Sequence, residues 1–238
     1  MEFRTAGGLI VPAITAGRMR EVDRIATEDF GLGLLQMMEN AGRSLAGNAM
    51  DLLGAAEGHV VVLAGAGGNG GGGLACARHL HNRGFAVSIV LDRDPAALTG
   101  AAAAQLAVLT AAGIRPTDPR EATGLMVRAG LIVDALIGYS LRGAPHGRTA
   151  ALIEACNAVG KRVLALDVPS GLDATTGEAP EAVIRPERTL TLALPKTGLA
   201  AVPGELYLAD IGIPPEVYGR LKISVPALFG RAYWLRLI

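Results

Sequence analysis

Between residues 59 and 209 this 238-residue chain sets short apolar, β-branched runs against longer stretches of helical spacing, and that alternation restricts the fold more than any other feature. The runs at 59–64 (HVVVLA), 86–91 (AVSIVL), 131–136 (LIVDAL), 162–167 (RVLALD) and 188–194 (RTLTLAL) read as strands, and 205–209 (ELYLA) as an edge strand. Helical segments at 73–83, 100–112 and 149–159 separate them. Strands that are apolar on both sides and joined by helices imply a mostly parallel sheet covered on both faces. The expected fold is therefore α/β, a three-layer α/β/α Rossmann-like sheet. Two helices lead it, at 16–30 and 34–53, the second stopped by Gly54. The tail 214–238 admits either a packed helix or an oligomer contact.

Composition narrows the function. With 22 Lys and Arg against 22 Asp and Glu, and no basic run, the chain lacks the charge for a phosphate-neutralising nucleic-acid grip or a polybasic membrane contact. A small-molecule partner is the expectation. Half the residues are hydrophobic and only 18% are charged, which excludes intrinsic disorder. No repeat, linker or charge block divides the sequence, so a single domain over 1–238 is expected, with its core at about 15–215. Cys76 and Cys156 are too few for a disulfide framework, and with no secretory leader evident they read as reduced thiols in the cytoplasm. The stretch 95–114 carries no charge and has about the length of a membrane span, but its Thr99, Gly100, Gln105 and Thr110 suit a helix packed on a sheet.

In an open α/β sheet the ligand lies at the carboxyl ends of the strands, where loops feed helix N-termini. The first such loop, Gly65 to Gly73 (GAGGNGGGG), contains the spacing GxGxxG at Gly65, Gly67 and Gly70. Missing side chains let backbone N–H groups approach a pyrophosphate, and Asp92 at the end of the second strand is placed to bond a ribose. A flexible turn without a ligand satisfies the same pattern. Asp134 interrupts an apolar strand; buried and unpaired it would cost several kcal/mol, so a cation, a hydrogen-bond donor or water must meet it, or it caps the next helix. In LDVPSGLDATTG, Asp167, Ser170 and Asp173 suit acid/base work or cation ligation, with Asp173 the more ordinary turn residue bonding Thr175 or Thr176. Ser140 and Arg142 in GYSLRGAPHG suit an anion contact, as a solvated arginine also would. The four histidines have no metal-ligand spacing, and no GxSxG, HExxH or GxxxxGK[ST] occurs.

Taken together, MREVDRIATEDFGL (19–32), MENAGRSLA (38–46), the glycine loop with LACARHL (74–80), LIVDALIGYSLRG (131–143) and LALDVPSGLDATTG (164–177) resemble the YjeF N-terminal domain family, from about residue 15 to about residue 215. Enzymes of that family are NAD(P)H-hydrate epimerases, which interconvert the R and S forms of a damaged cofactor hydroxylated at carbon 6 of the nicotinamide. The resemblance implies a potassium ion held by Asn69, Asp134 and Ser170. It also implies that the hydrate is bound by Gly68, Asn69, Gly70, Gly71 and Gly72, by Gly138, Tyr139, Ser140, Leu141, Arg142 and Gly143, and by Asp167. Asp167 is the expected proton-transfer residue, because inversion at carbon 6 breaks a bond there. A homodimer, and a dehydratase on another chain that consumes the S form, are implied as well.

The family loop GNNGGDG stands here as GGNGGGG, with Gly68 for the first Asn and Gly72 for the Asp. A family lysine after the second strand is replaced by Asp92, Arg93 and Asp94. These departures motivate one alternative, a binding or assembly module that has kept its pocket and lost its activity. GxGxxG with Asp92 motivates another, an NAD-dependent oxidoreductase.

Overall fold

A computed structural model of the chain describes residues 2–55 and 58–238. Seven strands form the main sheet: β3 (Val60–Ala64), β4 (Val87–Leu91), β5 (Leu131–Ala135), β6 (Val163–Leu166), β7 (Arg188–Leu192), β8 (Glu205–Ala209) and β9 (Trp234–Leu237), preceded by a small hairpin of β1 (Glu2–Arg4) and β2 (Ile10–Pro12). Across the sheet the order is β4-β3-β5-β6-β7-β8-β9, with every pair parallel except β8 and β9. The three-layer Rossmann-like reading therefore holds.

The pleat explains the layers. Val60, Val62, Ala64, Leu131, Val133 and Ala135 point to one side and pack under α2 (Leu34–Leu53), α3 (Gly68–His81) and α4 (Gly100–Ala111). Val61, Leu63, Ile132 and Leu136 point to the other, under α5 (Ala122–Arg128) and α6 (Gly147–Ala158). Each such Val or Leu, fully removed from water, contributes about 1.5–3 kcal/mol, which is why strands buried on both faces show no polar alternation. The charge-free stretch belongs mainly to α4, and among the described residues no helix is long and apolar enough to cross a membrane.

Helix α2 lies directly on α3 because Gly42 has no side chain. A Cβ there would stand 2.4 Å from the Ala75 Cβ and 2.9 Å from the Gly72 carbonyl oxygen. The glycine of MENAG and the glycines of the loop thus serve one close helix contact.

Three expectations change, and three short elements are added. Helix α3 begins at Gly68, so most of the glycine run is the helix's first turns and not a loop before it; packing against α2 and β6 outweighs glycine's poor helix propensity. The 16–30 segment is α-helical only as α1 (Ala16–Arg24) and continues as a wider turn over Ile25–Asp29. The segment 205–209 is not an edge, because the tail returns as β9 after a short α7 (Pro215–Arg220). Trp234 seats that strand, since its ring occupies the space a Cβ on Gly47 would need, 2.5 Å from Cη2. Finally, α5 and the β1–β2 hairpin carry too few residues for periodicity to reveal them.

The chain runs from β3 outward to β4 and then crosses to β5 on β3's other side, so the loops after β3 and β5 diverge between neighbouring strand ends. A crevice opens at such a point.

Candidate functional site

The crevice consists of two joined hollows of about 280 Å³ each, which share Gly68, Asn69, Gly138 and Ser140 in their walls. One is mainly apolar, lined by Met19, Met37, Met38, Leu166, Leu192 and Ile211, with Asp23, Tyr139, Asp167 and Lys196 as its polar groups. The other is polar and is lined by Asp92, Arg93, Leu141, Arg142, His146 and Thr149. Helix α3 aims its N-terminus at the join. The first backbone N–H groups of a helix have no partner within it, so those of Gly68 and Asn69 face the crevice with the positive end of the helix dipole.

Asp167 follows β6 with φ +66°, a region a residue with a side chain enters only under constraint. The constraint is a tight turn in which the Val168 N–H donates to the Leu166 carbonyl at 2.8 Å, while the Asp167 N–H bonds Leu190. The neighbouring strand ends in the same way, with Ala193 at φ +63° and Leu194 N–H donating to Leu192. Together these turns bring Asp167 and Lys196, 3% and 1% exposed, into a buried ion pair. The Asp167 carboxylate also accepts from the N–H of Tyr139 at 3.1 Å and of Leu192 at 3.3 Å, and the Lys196 ammonium donates to the Leu192 carbonyl at 2.9 Å.

Asp134 is completely buried, and burial pushes its carboxyl up to about 6 against the opposing hydrogen bonds of Ser170 and Leu136. The Ser170 N–H and hydroxyl donate to it at 2.8 and 2.6 Å, and the Ser170 oxygen in turn accepts from Ile137 N–H at 2.8 Å. Among the described residues no Lys, Arg or His pairs with Asp134. Asn69 reaches the same turn from the other side: a Cβ on Gly138 would lie 3.0 Å from its Oδ1 and 3.1 Å from Asp167 Oδ2. The buried Asn69 Nδ2 has no partner among the described residues, and a half-turn of the amide exchanges it for the oxygen. A buried carboxylate without a cation, a hydroxyl and an unmatched amide around one turn are a donor set that fits a hard monovalent cation. Among the described residues no cluster of three His, Cys, Asp or Glu exists, so a transition-metal centre has no support there.

Of the residues singled out in the sequence, Gly68, Asn69, Gly72, Gly138, Tyr139, Ser140 and Asp167 line the apolar hollow, and Leu141 and Arg142 the polar one. Gly70 and Gly71 are buried inside α3, packed on Gly65 and Met38, and Gly143 borders a separate shallow hollow beside Asp173. At Gly72 a Cβ would stand 2.9 Å from Leu166 Cδ2, so an apolar side chain borders the place of the family's Asp. Asp92 is already engaged, bound at two points by Arg93 at 2.8 and 3.0 Å and by the Thr149 hydroxyl at 3.0 Å. Asp173 is a turn residue, accepting from the N–H groups of Thr175 and Thr176 at 2.8 Å. Sequence reasoning missed Lys196 and Asp23. A single lysine within the apolar segment LTLALPKTGLAAV was the available signal for the first; Asp23 reads as one charge among many on an exposed helix face.

The family described as YjeF-related protein N-terminus matches residues 34–198. An NAD(P)H-hydrate epimerase of Dehalogenimonas lykanthroporepellens is 52% identical over 229 residues, 94% of this chain and 91% of that protein. One from Rhodopirellula baltica is 37% identical over 90% of each chain. A bifunctional NAD(P)H-hydrate repair enzyme of Hyperthermus butylicus is 40% identical over 86% of this chain, which spans 39% of that longer protein. Among solved structures, yeast ynu0 superposes with a TM-score of 0.86 at 22% identity, covering 95% of this chain and all of the yeast one.

Proposed function

The chain belongs to the YjeF-related N-terminal family, and from that membership we propose an NAD(P)H-hydrate epimerase, an isomerase of cofactor repair acting on the R and S forms of hydrated NADH or NADPH. The observation that carries the reading beyond family likeness is the crevice itself. An apolar hollow with a buried Asp167–Lys196 ion pair adjoins a polar hollow with arginines, and a helix N-terminus faces their junction. A dinucleotide has the same polarity sequence: a reactive ring, a pyrophosphate and a second nucleoside.

In this reading the amides of Gly68 and Asn69 hold the pyrophosphate, Arg142 adds a charge-assisted contact, and Tyr139, Ser140 and the methionines enclose the hydrated ring. Asp167, positioned by Lys196 and the two backbone N–H groups, handles a proton at carbon 6 or its hydroxyl. Asn69, Asp134 and Ser170 would hold potassium, which would supply a fixed positive charge to the crevice. The dehydrogenase alternative is not favoured: Asp92, which it needs for the ribose, is occupied by Arg93 and Thr149. A homodimer in the cytoplasm, with a dehydratase on a separate chain consuming the S form, completes the proposal.

Chiral separation of NADH hydrate during incubation with the purified protein tests the activity. Acceleration of R to S interconversion without any absorbance change from hydride transfer is expected; unaccelerated exchange sinks the assignment and leaves a binding module. For the ion, thermal unfolding in potassium chloride is expected to occur at a higher temperature than in choline chloride at equal ionic strength. Asp134→Ala removes that difference. A potassium effect of unchanged size in the variant would rule out this ion site.

A further inference from the structure

The epimerisation asks for more proton chemistry than Asp167 alone supplies. Carbon 6 of the hydrate bears both the hydroxyl and the ring nitrogen, so inversion proceeds by breaking C–O or C–N. In the first case the departing hydroxyl takes up a proton as the nitrogen lone pair forms the N1=C6 bond. Water leaves, and a second water adds to the other face while giving up a proton. In the second case the hydroxyl loses a proton as C6=O forms, and the ring nitrogen gains one before the ring recloses on the opposite face. Either route needs one group to give a proton and another, at a different position, to take one.

The apolar hollow holds a second carboxylate. Asp23, half-buried on α1, lines it together with Asp167, and the Tyr139 hydroxyl donates a hydrogen bond to Asp23 Oδ2. Tyr139 ties the two acids together, because its backbone N–H donates to Asp167 and its ring lies 5.6 Å from the Lys196 ammonium. The two carboxylates occupy different surroundings. Asp167 sits against the ammonium and two backbone N–H groups, whereas among the described residues Asp23 has the phenol hydroxyl alone as side-chain hydrogen-bond partner.

We propose that Asp23 is the second proton-transferring residue of the reaction, the acid to Asp167's base in one direction and the base to its acid in the other. The inference rests on the epimerase reading above. Burial raises the Asp23 carboxyl above its ordinary range, an effect opposed by the Tyr139 hydrogen bond and Lys196 and reinforced by Asp167. Tyr139 itself is driven far above a free phenol by burial and Asp23, eased by Arg20, so it stays a neutral donor. Tyr218 is the remaining titratable group whose electrostatics Asp23 touches. Two carboxylates of one pocket in such different surroundings are the arrangement that assigns acid and base.

The test is the pH dependence of NADH hydrate interconversion by the full chain and two variants. In the wild type, rate falls on the alkaline side as Asp23 loses its proton. Asp23→Asn is expected to lower kcat roughly 100-fold or more with KM little changed, and to abolish that alkaline limb. Tyr139→Phe removes the hydrogen bond that favours the Asp23 carboxylate, so its limb moves to higher pH whatever the change in kcat. A purely structural role for Asp23 would alter unfolding temperature or KM and leave the alkaline limb alone. The proposal is overturned by an Asp23→Asn protein with wild-type kcat, or by a Tyr139→Phe limb that does not move; the second variant decides even if the first fails to fold. A wild-type protein that does not interconvert the hydrates at all overturns the epimerase reading, and this inference with it.

Discussion

Alanine at position 70 is expected to destabilise the protein by more than about 4 kcal/mol, enough to leave little folded chain at 37 °C. The added Cβ would stand 1.7 Å from the carbonyl oxygen of Gly65, 2.5 Å from its carbon and 2.8 Å from its nitrogen, all backbone atoms with no rotamer to escape into. Relief would require the strand-to-helix turn to open, and with it the approach of α3 to the end of β3. Gly68 makes the contrast two residues earlier, where a Cβ would meet Met38 Cε at 3.8 Å, an ordinary contact with a flexible side chain. Gly68→Ala should therefore stay within about 1 kcal/mol of wild type. Urea unfolding of the two variants checks both numbers, and comparable stabilities would show that the turn tolerates a side chain.

Lys196→Met is expected to cost about 3–5 kcal/mol, because it keeps the stem of the side chain and strands the Asp167 carboxylate inside the fold without its cation. The loss is a property of the pair, so Asp167→Asn added to Lys196→Met should recover most of it by removing the uncompensated charge. A double-mutant cycle measured in urea gives the coupling directly. Additive destabilisation by the two changes would show that the pair has no special coupling and that Asp167 is held by backbone N–H groups alone. Both single changes should also silence epimerisation, since the carboxylate then loses either its existence or its orientation.

The sheet was legible in the order of residues alone. Valine- and leucine-rich runs buried on two faces can be satisfied only between two helical layers, and the order of strands and helices from residue 59 onward carries that requirement locally. The sequence also marked Asp134 as a carboxylate in need of a partner, since an acid within LIVDAL is anomalous without reference to any contact. What lies 3.6 or 2 residues away is visible in a sequence; what lies across a turn from another element is not. The beginning of α3 at Gly68 depended on the close seat of Gly42 against Ala75, the docking of the tail on Trp234 meeting Gly47, and the pairing of Asp167 with Lys196 on two strand ends turning with positive φ. Asp23 owes its place in the crevice to α1 lying over the loop after β5, more than a hundred residues further along the chain. Those contacts join residues with no sequence periodicity in common, and only the closed tertiary structure, in which burial strengthens each charge and hydrogen bond by removing water, decides which of them meet.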